Sequence, residues 1–152
     1  MARLFFLLSF LISNLLLASC AVNPVTGENE FSLLSRQDEI SIGNEQYGPS
    51  QQSQGGEYKV DPDLSAYVNE VGQRLATEGR RDYDLPYEFV VLNNSVPNAW
   101  ALPGGKIAVN RGLLLELNSE AELAAVLGHE VVHAAARHGA AAMTRGSLLQ
   151  GV

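Results

Sequence analysis

Ser119-Glu120-Ala121-Glu122-Leu123-Ala124-Ala125-Val126-Leu127-Gly128-His129-Glu130-Val131-Val132-His133-Ala134 is the stretch on which the fold and the chemistry of this chain turn. Ser119 with Glu122 three residues later has the form of a helix-capping box, with Asn118 as an alternative cap. Leu123, Val126, Leu127, Glu130 and Ala134 then recur at helical spacing in an Ala-rich run, and Gly139 is a plausible stop. Residues four apart on a helix share a face, so His129 and His133 can offer two imidazoles to one metal ion. Glu130 stands beside that face, where it can polarise a water activated by the metal. With 3 histidines in 152 residues, an H-E-x-x-H arrangement arises by chance in roughly 0.5 % of such chains. The pair falls in the middle of a buried-looking helix, where a metal site would be shielded. Gly128, a weak helix former, leaves room for another backbone to approach.

Upstream of this helix the pattern changes to short extended runs. Pro86 precedes Tyr87-Glu88-Phe89-Val90-Val91-Leu92, which is rich in β-formers and reads as a strand. Asn98-Ala99-Trp100-Ala101-Leu102 and Lys106-Ile107-Ala108-Val109-Asn110 flank Pro103-Gly104-Gly105, which makes a hairpin. Arg111 to Leu117 reads as a short helix leading into the motif helix. Further back, Asp61-Pro62-Asp63 opens a helix whose Leu64, Tyr67, Val68, Val71 and Leu75 form one apolar stripe, read as core. Ser35 caps a shorter helix through Ile40 to Tyr47, and residues 48–56, GPSQQSQGG, read as a flexible loop. Ala21 to Glu30 reads as an irregular lead-in. The order helix, helix, strand, hairpin, helix predicts a mainly helical α+β domain with a small, mostly antiparallel sheet.

The N-terminus carries a different message. Arg3 precedes 14 largely apolar residues, Leu4 to Leu17, too short for a span of about 20 residues but suited to a signal-peptide core. Leu17-Ala18-Ser19-Cys20 resembles the lipobox read by the lipoprotein signal peptidase. That resemblance implies cleavage before Cys20 and acylation of its thiol. With Ala rather than Asp at position 21, it also implies attachment to the outer membrane, facing the periplasm. Cys20 is the one cysteine, so disulfides and zinc-thiolate sites are excluded, and any metal must be held by His and carboxylate. Loss of Arg3 with the signal segment takes the net charge from −7 to −8. Such an acidic chain, without a basic cluster, fits neither nucleic acid nor electrostatic adhesion to anionic lipid.

A catalytic zinc site takes three protein ligands and a water. His138 lies nine positions from His129, about 180° round an uninterrupted helix, and is expected to face away from the metal. No third ligand is legible before Val152, so the functional end of the sequence reads as incomplete.

Two segments together are more specific than either alone: NAWALPGGKIAVNRGLL at 98–114 and HEVVHAAARH at 129–138. With the weaker DPDLSAYVNEVGQRLA at 61–76, they resemble the M48 family of zinc metallopeptidases, in particular its periplasmic, lipoprotein-type members related to the Oma1-like group. The resemblance implies a gluzincin-like fold, one Zn2+ per site held by His129 and His133, and Glu130 as the catalytic base. It also implies a third, glutamate ligand and an oxyanion-stabilising residue from well downstream, beyond Val152. The division it suggests is 1–19 signal peptide, 20–34 lipidated lead-in, and 35–152 metallopeptidase domain, truncated at its C-terminus. The expected activity is endopeptidase cleavage of unfolded or misassembled envelope proteins, with Asn98, Ala99, Trp100 and Ala101 aligning an extended peptide at a sheet edge. A non-catalytic lipoprotein chaperone or assembly factor is the competing expectation, as is an inactive fragment. An intact Glu130 argues against the chaperone for the full gene product, since a purely structural site has no use for a base, while the missing third ligand argues for it in this chain.

Overall fold

The computed structural model describes residues 20–150. The expected signal segment, 1–19, and the acylation of the Cys20 side chain lie outside what it describes. Among the described residues, no helix is long and apolar enough to cross a membrane.

The lead-in is more ordered than its composition suggests. Strands β1 (Cys20–Val22) and β2 (Asn29–Phe31) pair antiparallel. The turn between them is held by Asn23, whose Oδ1 accepts from the backbone N–H of Val25 and Thr26. Asn23 Nδ2 also donates to the carbonyl of Ala136 at 3.0 Å, tying the hairpin to the far end of the chain.

Helix α1 spans Arg36–Ser53, with Ser35 and Asp38 completing a reciprocal capping box. It therefore runs straight through Gly48 and Pro49, where loop chemistry predicts an end at Tyr47. A proline in a helix interior costs about 3 kcal/mol, and tertiary anchors on the preceding turns offset it. Tyr47 donates its hydroxyl to the Ile107 carbonyl at 2.9 Å and stands edge-on to Trp100. Gly43 lies so close to the Pro103 carbonyl that a Cβ would sit 2.1 Å from it. The helix gives way only at Gly55 and Gly56, both at positive φ.

Helix α2, Pro62–Asp82, starts where the Asp61-Pro62 signal places it, with Asp61 accepting from the Leu64 N–H. Val68 and Val71 are buried as the stripe predicts, but Tyr67 is exposed at the edge of the stripe and donates to Glu120. Strands β3 (Glu88–Leu92), β4 (Ala99–Leu102) and β5 (Lys106–Asn110) form a sheet in the order β3-β5-β4. The predicted hairpin is β4–β5, joined by a tight helical turn at Pro103–Gly105. Gly104 sits at φ +77 in that turn, and a Cβ there would press on α1 at Glu39 and Ile40.

The sheet is mixed rather than mostly antiparallel, because β3 pairs parallel with β5. All five β5 residues are buried. A strand covered on both faces belongs at the centre, which leaves β4 as an edge. Ala99 and Ala101 share the face of Val109 and Ile107 and pack on the main core. Trp100 and Lys106 lie on the other face, where the Lys106 ammonium sits 5.8 Å from the Tyr47 ring centre.

A short α3, Arg111–Leu114, leads to α4, Glu120–Ala135, capped by Ser119. α4 packs Leu123, Leu127, Val131 and Ala134 against α2 and the sheet. It ends at Ala135, not at Gly139. The break is Arg137 at φ +59, and α5 (His138–Gln150) follows at once with Gly139 inside it.

Candidate active site

His129 and His133 project from α4 one turn apart, with Nε2 of each 2.8 Å from Nε2 of the other and the rings at 80°. At 2.8 Å the two nitrogens are within hydrogen-bond distance of each other. A separation of about 3.3 Å, a shift of about half an ångström, would let both imidazoles bind one tetrahedral metal of the kind that favours them. The residues present thus fit zinc as two of its ligands. Among the described residues, no group of three His, Cys, Asp or Glu side chains is arranged to hold a metal ion.

Glu130 is half-buried beside this pair. It lines a cleft of ≈ 300 Å³ whose other wall is β4, from Ala99 to Leu102. On its far side a shallower, more apolar hollow runs past His129, Leu113 and Val126. The base candidate therefore sits between two depressions along the same sheet edge. Asn98 is exposed just before β4, and its carbonyl accepts the Asn110 N–H at 2.9 Å. Ala99, Trp100 and Ala101 are half-buried in β4, with one edge of the strand unpaired within the sheet.

Three expectations about this helix need correction. The site is open, not shielded: His129 is exposed and His133 only half-buried. The apolar stripe turns the other side of α4 into the core and leaves the histidine side facing the cleft. Among the described residues no other backbone approaches Gly128, since a Cβ there would meet nothing within 4 Å. And His138 does not lie about half a turn round the helix from the His129–His133 pair, because the 100°-per-residue extrapolation fails once α4 stops at Ala135. Its Nδ1 lies 2.5 Å from Nδ1 of His133.

Two residues that spacing did not single out hold the floor of the cleft. Arg137 is 8 % exposed and directs its guanidinium to Glu39 Oε1 at 2.7 Å, to the Leu34 carbonyl at 2.6 Å and to Ser32 Oγ at 3.2 Å. Glu39, 1 % exposed, also accepts from the Tyr83 hydroxyl. Burial pushes the Glu39 carboxyl above the ordinary glutamate value, against the opposing pull of Arg137 and Tyr83. Arg137 belongs to the HEVVHAAARH segment, so its presence was legible; its partner, 98 residues earlier, was not.

Residues 62–152 match the profile of peptidase family M48. The beta-barrel assembly-enhancing protease of Escherichia coli (strain K12) is 32 % identical over 120 residues, 79 % of this chain and 24 % of that protein. The mitochondrial metalloendopeptidase OMA1 of Arabidopsis thaliana is 49 % identical over 61 residues, 40 % of this chain and 13 % of that protein. Its namesake in Schizosaccharomyces pombe is 45 % identical over 75 residues, covering 49 % and 22 %. The chain spans about a quarter or less of the length of the first of these curated relatives.

Proposed function

This chain belongs to peptidase family M48, and from that premise we propose that it carries the metal-binding helix and base of a zinc-dependent endopeptidase of the bacterial envelope. The observation that carries this reading is the convergence of the His129 and His133 Nε2 atoms at 2.8 Å beside a Glu130 that lines a cleft along an edge strand. His129 and His133 would hold the zinc. Zinc, when bound, supplies a Lewis acid that brings water within reach of deprotonation near neutral pH and polarises a carbonyl. A catalytic zinc takes three protein ligands, so a third donor besides His129 and His133 would complete the set.

Glu130 takes the proton of the attacking water and returns it to the leaving amine, so that no free charge is left on nitrogen. The free edge of β4, at Ala99 to Ala101 and preceded by Asn98, aligns an extended peptide by backbone hydrogen bonds. Such pairing reads main chain rather than side chains, which suits segments that have lost their structure. Unfolded or misassembled envelope proteins are the proposed substrates, in keeping with the name of the Escherichia coli relative, which concerns β-barrel assembly. Acylated Cys20 would hold the protein at the periplasmic face of the outer membrane, consistent with Leu17-Ala18-Ser19-Cys20.

The test is Glu130→Gln in the full chain, with zinc content and casein cleavage measured together. The expected outcome is retained zinc with cleavage reduced about 10²- to 10⁴-fold, the usual contribution of a positioned acid–base group. Unchanged cleavage would sink the mechanism.

A further inference from the structure

The helix breaks at Arg137, two residues past the end of the motif helix, and the break is held in place. Arg137 is the one non-glycine residue at positive φ among the described residues. A left-handed conformation costs a side-chain-bearing residue about 1–2 kcal/mol, so the surroundings must over-determine it. They do so through the contacts of the guanidinium with Glu39, Leu34 and Ser32, and through the Tyr83 ring 5.6 Å away. Gly139 then lets the start of α5 lie against Pro103, where a Cβ would come within 3.0 Å of the proline ring.

The outcome of this turn is the placement of one imidazole. His138 meets His133 with ring centres 4.7 Å apart and Nδ1 against Nδ1 at 2.5 Å. His133 turns its other nitrogen, Nε2, to His129. The two nitrogens of an imidazole point to different edges of the ring, so a group held at Nδ1 does not share a metal bound at Nε2. His138 is thereby placed behind a ligand and not among the ligands.

We propose that His138 is a positioning residue for the metal site. Its Nδ1 accepts the Nδ1–H of His133, which selects the tautomer with a free lone pair at Nε2 and fixes the ring plane toward His129. A ligating histidine needs such a partner on its second nitrogen, and loss of the partner typically weakens metal binding about 10- to 100-fold. Carboxylates and backbone carbonyls are the usual partners; here a second imidazole, set by a buried Arg–Glu pair, does the same. The inference rests on His129 and His133 being zinc ligands, as proposed above.

The experiment compares His138→Ala, His138→Asn, His138→Gln and His129→Ala in the full chain. Zinc affinity is measured by competition with a chromophoric chelator, and geometry by the visible d–d bands of the cobalt(II)-substituted protein. His138→Ala is expected to weaken zinc binding 10- to 100-fold and to shift the cobalt bands. Asparagine puts its carbonyl oxygen where Nδ1 stood and is expected to restore most of both, whereas glutamine, one bond longer, is not. If the alanine variant fails to fold, the asparagine–glutamine contrast decides. Parent-like affinity and bands in the alanine variant, or asparagine no better than glutamine, would overturn the role of His138 alone. Unchanged zinc affinity in His129→Ala would overturn the ligand assignment, and this inference with it.

Discussion

The molecule contains two clusters of one glutamate, one arginine and one tyrosine, and they behave in opposite ways. In the first, Arg137 and Tyr83 hold Glu39 where α1, the α4–α5 turn and the end of α2 meet. The Arg137 and Glu39 side chains are 8 % and 1 % exposed. In the second, Arg74 and Tyr67 on α2 hold Glu120 at the start of α4, with Arg74 and Glu120 side chains 58 % and 51 % exposed. The arginine–carboxylate distance is 2.7 Å in both. Yet the Glu39 carboxyl is pushed up, because burial outweighs its partners, while Glu120 is held down, chiefly by the Tyr67 and Arg74 hydrogen bonds. Distance does not decide what an ion pair contributes; the water around it does.

The sharpest way to break this comparison is to remove the arginine from the buried cluster. Arg137→Ala leaves Glu39 buried without its cation, and losses of about 3–5 kcal/mol are usual for such a change. It also keeps a side chain at φ +59. Arg137→Gly loses the same charge but tolerates the backbone, and is expected to be about 1 kcal/mol more stable than the alanine variant. Urea unfolding of the two variants beside Arg74→Ala checks both parts. An Arg137→Ala loss no larger than that of Arg74→Ala would show that burial does not separate the clusters.

The same contrast explains what could be read from the residues alone. Local signals with nearby partners were legible: the Asp61 and Ser119 caps, the Pro-Gly-Gly hairpin and the His129–His133 face each depend on residues a few positions apart. What was not legible depends on distant partners. The helix persists through Gly48-Pro49 because Tyr47 and Gly43 are fastened to β5 and to the turn before it, about 60 residues on. β5 takes the centre of the sheet as its most completely buried strand, and its parallel partner β3 comes from a separate segment before the hairpin. His138 reaches His133 because Arg137 adopts a left-handed turn, and its guanidinium is bound by Glu39, Leu34 and Ser32. Helical extrapolation places His133 beside His129, as found, but puts His138 half a turn away, whereas a single left-handed residue at 137 resets the phase and brings it against His133 Nδ1.

The buried cluster also has a titration that sharpens the comparison at high pH. The Tyr83 hydroxyl is pushed up to about 12, first by burial and then by the negative charge of Glu39. Its folded value lies above the ordinary tyrosine value of 10.0. The neutral phenol therefore contributes stability that is fully present below pH 10 and is lost as pH rises through about 12. Absorbance at the phenolate band during alkaline titration should show a transition near pH 12 that Tyr83→Phe removes. A Tyr83 midpoint at the ordinary value would mean that water reaches the cluster after all.

The smallest effect belongs to the exposed cluster. Glu120 has its folded carboxyl below the ordinary value, so the stability it contributes is present above that value and is lost as pH falls through the lowered one. Its partners are solvated, and at physiological ionic strength charges beyond about 8 Å are largely screened. Glu120→Gln should therefore change the unfolding midpoint slightly at neutral pH and low salt. In high salt the difference should vanish, whereas the Arg137→Ala loss should survive the same salt because no counterion reaches Glu39. A carboxyl-selective NMR titration of Glu120 should place its midpoint below that of an ordinary glutamate. A salt-insensitive Glu120→Gln loss, comparable to that of Arg137→Ala, would mean that exposure is a poor guide to the strength of either cluster.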